Sequence, residues 1–281
     1  MRFGAGVYVC YSIRLKSLVT LCLEPGAIIL AAPGGGYDAA ESNGPFESYQ
    51  DFGHNHWHNS LIWGEGIHDV AIFGPGLICG RGLSRGELAE QGLPRADAPG
   101  AADKAIALKR CRNVTVRDIA ILAAGHFGIL ATGVDNLTLE DLKIDTNRDG
   151  INVDSCKNVR ISKCSVNSPW DDGICLKSSF ALGEARATEN VTISDCYLTG
   201  GFALGTMLDG TFRRTNNDAG QPTGGSSAVP NQTADLETSP SAIASSRAAV
   251  VSPSRAWTAG RSRTLFSRAS PCAISAMRPS F

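Results

Sequence analysis

Two short acidic segments carry the residues of this chain best suited to proton transfer. The first is NRDGIN, with Asn147 and Asp149, and the second is WDDGICLKS, with Asp171, Asp172 and Lys177. Carboxylates held close together raise at least one of their pKa values, so one can keep a proton while another stays charged. Glycoside hydrolysis uses that division, because an acid protonates the leaving oxygen and a base activates water. Turn-forming aspartates or a calcium site are the alternatives.

A repeat explains how the two acidic segments could meet. Four segments begin with Asn and alternate apolar with polar residues, and their starts are 23, 22 and 32 residues apart: NVTVRDIAIL from Asn113, NLTLEDLKID from Asn136, NVRISKCSVN from Asn158 and NVTISDCYLT from Asn190. A period near 22 with about three short strands is typical of a parallel β-helix coil. Residues one coil apart stack at about 4.8 Å, so this fold would place Asp149 and Asp171 on one face.

The sequence therefore predicts an all-β fold, a single-stranded right-handed parallel β-helix over residues 1–222 with an irregular tail over residues 223–281. The alternation puts Val114, Val116 and Ile119 inside each coil. The Asn at each repeat start is expected to form a turn and a stacked ladder; the alternative is a glycosylation sequon. The opening residues resemble the middle of such a domain more than its beginning, and they show no signal peptide.

The composition changes near Pro222 to Ser, Ala, Arg and Pro without strand periodicity. One interpretation is a disordered tail. The other is an out-of-frame tail, because codons permitted for Gly224 to Gly260 can spell a text with Arg-Ile-Lys and another NITISNC repeat when read one base earlier. On that hypothesis the tail has no evolved fold, and the coding DNA would show it.

The bulk composition excludes several classes of protein. The chain has 281 residues, 43% of them hydrophobic, and a formal net charge of -1, which does not favour nucleic acid as a partner. No apolar run reaches the roughly 18 residues of a membrane span. Nine cysteines form no disulfide or metal pattern. We expect buried free thiols at Cys156, Cys164, Cys175 and Cys196, and neither a metal nor a cofactor.

The two acidic segments resemble the Asn-Thr-Asp-Gly and Gly-Asp-Asp-Cys-Ile-Ala motifs of the polygalacturonases, glycoside hydrolase family 28, over roughly residues 5–222. Arg148 replaces the Thr, and Trp170 replaces the first Gly. The resemblance implies a pectin lyase-like solenoid, with Asp171 as general acid and with Asp149 and Asp172 acting on the attacking water, giving inversion. It further implies that Asn147 orients Asp149 and that Lys177 helps to hold the active face.

Two family motifs are missing from this chain. The place of the Gly-His-Gly motif reads GGFALGT, and the Arg-Ile-Lys motif that would grip a substrate carboxylate occurs only in the shifted reading. The sugar and the activity of this polypeptide are therefore open. We expect a pectic polysaccharide or oligosaccharide as partner, and relatives acting on extracellular polymer imply export. A polysaccharide lyase, a non-catalytic carbohydrate-binding β-helix and an inactive fragment are the alternatives; no basic residue is expected beside the aspartates to serve a lyase.

Histidine and tryptophan supply the remaining candidates. His126, one coil before the acids, is a candidate substrate contact, and Trp170 is a candidate sugar platform. The segment HNHWHNSLIWGEG holds three histidines (His54, His56 and His58) and two further tryptophans (Trp57 and Trp63). Strand spacing would put the three histidines on one side, for a metal, a substrate cleft or plain packing, but no nearby Cys or carboxylate completes a zinc set. Each tryptophan is a platform or a core filler.

Overall fold

The computed structural model describes residues 1–42, 44, 54–84, 98–204 and 249–250, with side chains up to residue 199. These residues form twenty β-strands and no α-helix. None of them forms a helix that is both long and apolar enough to cross a membrane.

The strands build three parallel ladders, one strand of each ladder per coil. The first ladder is β1 (Arg2–Phe3), β4 (Thr20–Leu23), β7 (His68–Phe73), β10 (Arg112–Arg117), β13 (Asp135–Glu140), β16 (Lys157–Ser162) and β18 (Glu189–Ser194). The second begins with β2 (Gly6–Cys10), β5 (Ala27–Ala31), β8 (Leu77–Cys79), β11 (Ala120–Leu122) and β14 (Lys143–Asp145). The third begins with β3 (Ile13–Arg14), β6 (Ser60–Glu65), β9 (Lys104–Lys109), β12 (Phe127–Thr132) and β15 (Asp149–Asp154).

Two long strands join the second ladder to the third. β17 (Ser165–Lys177) pairs with β14 through its first residues and with β15 through its last, and β19 (Tyr197–Leu204) stacks on β17. A short strand, β20 (Ala249–Val250), pairs with the start of β19. Every pairing is parallel between successive coils, which confirms the predicted parallel β-helix.

The core is a stack of aliphatic side chains inside the coils. In the third ladder, isoleucines of successive strands align in register and are fully buried: Ile62, Ile106, Ile129, Ile151 and Ile174. Each such side chain contributes on the order of 1.5–3 kcal/mol by its burial. Because neighbours along a strand point to opposite faces, this inward column fixes which residues of the third ladder point outward. The inward positions predicted for the repeat from Asn113 are also confirmed, since Val114, Val116 and Ile119 are buried.

A ladder of side-chain amides runs along the outside of the first ladder. Asn136 donates to Asn113 at 2.8 Å, Asn158 to Asn136 at 3.0 Å and Asn190 to Asn158 at 3.1 Å. Asn113 extends it by donating to Asp69 at 2.8 Å. All five residues have positive φ, between 53° and 58°. The predicted turn and ladder roles are confirmed, because Asn tolerates this left-handed geometry and its amide both donates and accepts.

Two further expectations concern the cysteines and the tail. Cys156, Cys164, Cys175 and Cys196 are free and buried, as predicted. Apart from Ala249 and Val250, the tail over residues 223–281 lies outside the described residues, so its predicted disorder and its frameshift stay predictions.

Replacing Asn158 tests the amide ladder. Asn158→Ala removes two side-chain hydrogen bonds and puts a Cβ residue without a compensating amide at φ 56°, so we expect a loss of about 1–3 kcal/mol in the free energy of unfolding. Asn158→Gly relieves the backbone cost and should lose less. Urea unfolding of the three proteins measures both effects. Equal losses for Ala and Gly would show that the backbone geometry contributes nothing.

Candidate active site

The structure brings the three predicted aspartates together on the outside of the third ladder. Asp149 opens β15, and Asp171 and Asp172 lie in the middle of β17. Carboxylate oxygens of the three residues lie within 4.8 Å of one another. Asp145 aligns with Asn167, whereas Ile151 aligns with Ile174, so β17 contains one extra residue between these points. The extra residue lies in the stretch of β17 that passes from the second ladder to the third, where the neighbouring carboxylates of Asp171 and Asp172 approach Asp149.

Burial separates the aspartates into different environments. Asp149 is only 4% exposed, while Asp171 and Asp172 are partly exposed. The pKa of Asp149 is raised to about 7, chiefly by burial and also by the nearby carboxylates of Asp171 and Asp172, against the opposing effects of Lys177 and Asn152. Burial, then Asp171, also raises the pKa of Asp172. The three carboxylates can therefore share a proton near neutral pH, which acid–base hydrolysis requires.

Asn152 holds Asp149 in this structure. Its Nδ2 donates to Asp149 Oδ2 at 2.8 Å, and its side chain is fully buried. It points outward because its neighbours Ile151 and Val153 point into the core. Asn147, half-buried in the turn before β15, makes no side-chain hydrogen bond to Asp149 in the described part of the chain, so its orienting role stays a prediction. Strand alternation was the signal in the sequence that could have found Asn152.

Lys177 and His54 lie next to Asp149 and Asn152. The Lys177 side chain is 9% exposed, and its Nζ lies 2.6 Å from His54 Nε2. The same imidazole nitrogen lies 3.3 Å from Asn152 Nδ2 and 3.9 Å from Asp149 Oδ2. A buried cation thus stands beside the most buried acid, where it favours the ionised carboxylate and opposes the effect of burial.

Arg148 provides a second cation. Its Nη1 donates to Asp171 Oδ2 at 3.1 Å, and its buried Nε has no hydrogen-bond partner. The contact is a charge-assisted hydrogen bond, which places a cation directly against the acids. The expectation that no basic residue stands beside the aspartates is therefore wrong, because the turn before β15 folds the Arg148 side chain back over β17. The residue that departs from the resembling motif is the one that contacts the acids.

His126 lies on the coil preceding the aspartates. Its ring stacks on Phe127 at 4.4 Å, and Phe127 aligns with Asp149 in the strand register. The pKa of His126 is lowered to about 3, chiefly by burial and also by the positive charges of Arg148, Lys104 and Lys177. The ring is therefore neutral at ordinary pH and can offer a hydrogen bond, but no charge, to a bound sugar. Its substrate contact stays a prediction.

The upstream histidines do not form one group. They lie in the segment before β6, not within a strand, so the expected two-residue alternation is wrong. His54 approaches the aspartates, whereas His58 stacks on Trp63 at 3.9 Å and contacts Glu65 at 2.7 Å. His56 contacts the carbonyl of Glu41.

The tryptophans also lie in different environments, two of them buried and one exposed. Trp57 and Trp63 are buried and pack with Ala107, Phe127 and Leu130, which makes them core fillers and overturns their platform role. Trp170 is 74% exposed beside Asp171. An exposed aromatic ring next to the acids can stack on a sugar ring, so Trp170 remains a candidate platform.

Two groups of side chains have the spacing of cation ligands. The first is Glu41, His58 and Glu65, which contradicts the expectation that no carboxylate lies near the histidines. Lys109 Nζ already lies 3.4 Å from Glu41 and 3.1 Å from Glu65, so a metal ion would have to displace an ammonium group. The second group is the three aspartates, where Lys177 and Arg148 supply positive charge.

Comparisons with known proteins support the fold and place the chain in a family. No curated protein sequence matches it. Among solved structures, the polygalacturonase from Erwinia carotovora ssp. carotovora aligns at a TM-score of 0.55 and 21% identity, over 73% of this chain and 59% of that one. The family 28 exopolygalacturonase from Yersinia enterocolitica aligns at a TM-score of 0.55 and 20% identity, over 73% of this chain and 43% of that one. A Parabacteroides merdae protein aligns at a TM-score of 0.51 and 19% identity, over 70% of this chain and 81% of that one.

The chain therefore spans about half the length of the two polygalacturonases, and at these identities the likeness concerns the fold. The sequence itself carries the family assignment, because the model of the glycosyl hydrolases family 28 matches residues 40–209, more than half of the chain and the whole of the acidic site. This protein belongs to glycosyl hydrolases family 28.

Proposed function

We propose that this protein hydrolyses O-glycosidic bonds in pectic, galacturonate-containing polysaccharides or oligosaccharides. The observation that carries the proposal is the group of three carboxylates within 4.8 Å of one another, one of which has its pKa raised to about 7. Such a group can donate a proton to the leaving oxygen while a second carboxylate accepts one from water. Family membership and the likeness to polygalacturonases support the same reaction.

The position of the proton distinguishes the three acids. In the free protein the proton belongs on Asp149, because that carboxyl group is the most buried. Asp171, which the family resemblance assigns as general acid, faces Arg148 and solvent. In our proposal the substrate displaces water from the partly exposed acids, and the proton passes to Asp171 as the glycosidic oxygen approaches. Asp149 and Asp172 then accept the proton of the attacking water.

The spacing leaves the stereochemical course to experiment. The resemblance implies inversion, for which carboxyl groups usually stand about 6.5–9.5 Å apart, whereas retaining enzymes have them near 5–5.5 Å. Here one oxygen of each carboxylate lies within 4.8 Å of the others, a distance between single atoms that does not distinguish the two courses. Proton NMR of the first-formed product separates the two courses through the configuration of the new reducing end.

A polysaccharide lyase is the second candidate. Arg148 and Lys177 beside the acids give that reaction the basic group it needs, although the family assignment favours hydrolysis. Digestion of polygalacturonate distinguishes the reactions, because a lyase produces an unsaturated, ultraviolet-absorbing product and a hydrolase produces reducing ends alone.

Substitution of the aspartates tests the proposed hydrolysis. Asp149→Asn, Asp171→Asn and Asp172→Asn should each lower kcat on polygalacturonate by about 10²–10⁴-fold, since each removes a proton donor or acceptor. Asp145→Asn is the matched control, because Asp145 is exposed on β14 and contacts Asn167. Reducing-end assays measure all four. Unchanged turnover in Asp171→Asn would remove Asp171 from the proposed mechanism, whereas a wild type that binds polygalacturonate without turnover would indicate a binding protein.

The pH dependence of stability tests the environment of Asp149. Its pKa is raised from 3.8 to about 7, so its contribution to stability is complete below about pH 4 and is lost as pH rises through 7. Asp149→Asn does not ionise. The free energy of unfolding of Asp149→Asn, relative to that of the wild type, should therefore increase with rising pH, by at most about 4 kcal/mol between pH 4 and pH 8. Urea unfolding at both pH values, with Asp145→Asn as control, measures this; equal differences at the two pH values would refute the buried protonated acid.

Replacing Arg148 tests its influence on the acids. Arg148→Thr restores the residue of the resembling motif and removes the cation that contacts Asp171, so the group of acids should lose its proton less readily. The alkaline limb of the kcat/KM profile, which reports loss of the catalytic proton, should move to higher pH, while Arg148→Lys should keep it near the wild-type position. A limb that stays in place, or moves to lower pH, in Arg148→Thr would show that Arg148 does not control the proton.

A further inference from the structure

His54 reaches the aspartates from a distant part of the chain. It precedes β6, three coils before β15, and its side chain is buried against Phe127, with ring centroids 4.8 Å apart. Its Nε2 is 2.6 Å from Lys177 Nζ and 3.3 Å from Asn152 Nδ2. Lys177 and Asn152 are the two groups that oppose the effect of burial on Asp149.

The contacts of His54 define its protonation state. A lysine ammonium and a side-chain amide NH₂ can only donate hydrogen bonds. With both donors directed at it, Nε2 must be the unprotonated nitrogen of a neutral imidazole whose proton is on Nδ1. Protonation of Nε2 would put two positive charges 2.6 Å apart in a buried site, which is strongly unfavourable.

We propose that His54 is a positioning residue of the acidic site: as a neutral acceptor at Nε2, it binds the Lys177 ammonium and the Asn152 amide and thereby sets how closely that ammonium approaches Asp149. The role of His54 in catalysis rests on the proposed function, but the contacts of His54 do not depend on turnover. His54 does not act on the substrate, and it controls Asp149 through Lys177 and Asn152.

Other charged and titratable groups face this arrangement from each neighbouring strand. β17 contributes Asp171 and Asp172, and the turn before β15 contributes Arg148. Lys104 is the first residue of β9, and His126 directly precedes β12. His54 Nε2 lies 2.6 Å from Lys177 Nζ, so removal of the imidazole takes this acceptor away from the ammonium group.

Removing the imidazole should change Asp149 in a defined direction. In His54→Ala the ammonium of Lys177 can move directly onto Asp149, and water can enter the vacated volume. Both changes stabilise the carboxylate, so the pKa of Asp149 should fall by about one unit or more. In His54→Gln the side-chain oxygen can take the place of Nε2 and accept from Lys177, so the pKa should stay near the wild-type value.

Carbon-13 NMR of labelled aspartate in the full chain measures this pKa, with the Asp149 signal assigned by its loss in Asp149→Asn. His58→Ala is the matched control, because it disturbs the same segment through Glu65 and Trp63 without contacting the acids. A lower Asp149 pKa in His54→Ala, with wild-type values in His54→Gln and His58→Ala, supports the proposal. An unchanged value in His54→Ala, or an equal fall in His58→Ala or His54→Gln, overturns it.

Nitrogen-15 NMR of histidine in the wild-type protein gives a test that needs no substitution. The His54 imidazole should remain neutral, with its proton on Nδ1, from about pH 5 to pH 9. A protonated ring at pH 6, or a proton on Nε2, overturns the proposal even if His54→Ala does not fold. Both NMR results stand if the wild-type chain turns over no polygalacturonate, so failure of the hydrolase proposal is distinguishable from failure of this one.

Discussion

The parallel pairing of β15 with β17 is the constraint on which the site depends. Pairing of Ile151 with Ile174 and of Val153 with Leu176 seals the core beneath the aspartates, and strand alternation then sends Asn152 outward. Between its pairing with β14 and its pairing with β15, β17 contains one residue more than the preceding coil has over the same span. Asp171 and Asp172 occupy that irregular stretch, which gives two adjacent carboxylates access to one acid on the coil below.

Electrostatic balance follows from this geometry. Three carboxylates within 4.8 Å of one another would repel strongly if all were ionised, so the site either keeps a proton or recruits cations. This protein does both. Asp149 is buried deeply enough to hold a proton near neutral pH, and Arg148 and Lys177 both lie close to the acids. The resulting arrangement suits general acid–base chemistry on a bond placed over the partly exposed acids.

The outer face of the third ladder shows how a repeat fold acquires a distinct site. Successive coils share an almost identical interior, as the aligned isoleucines demonstrate. The coils differ from one another at the outward positions and in the segments between strands, because these are free of the stacking constraint. His54, Arg148 and Trp170 all lie at such positions, and none belongs to the repeat pattern.

The sequence by itself determined the coil, the inward residues and the amide ladder, because a period near 22 residues and strict alternation are local patterns that each repeat carries. It also determined that Asp149 and the Asp171–Asp172 pair would lie close together, since one coil separates them. Tertiary structure alone decided the contacts of Arg148, the burial of Trp57 and Trp63, the hydrogen bond from Asn152 and the approach of His54 from three coils away. The contacts of Arg148, Trp57 and His54 depend on the paths of irregular segments, which the packing of the whole chain sets and which no local pattern of residues encodes.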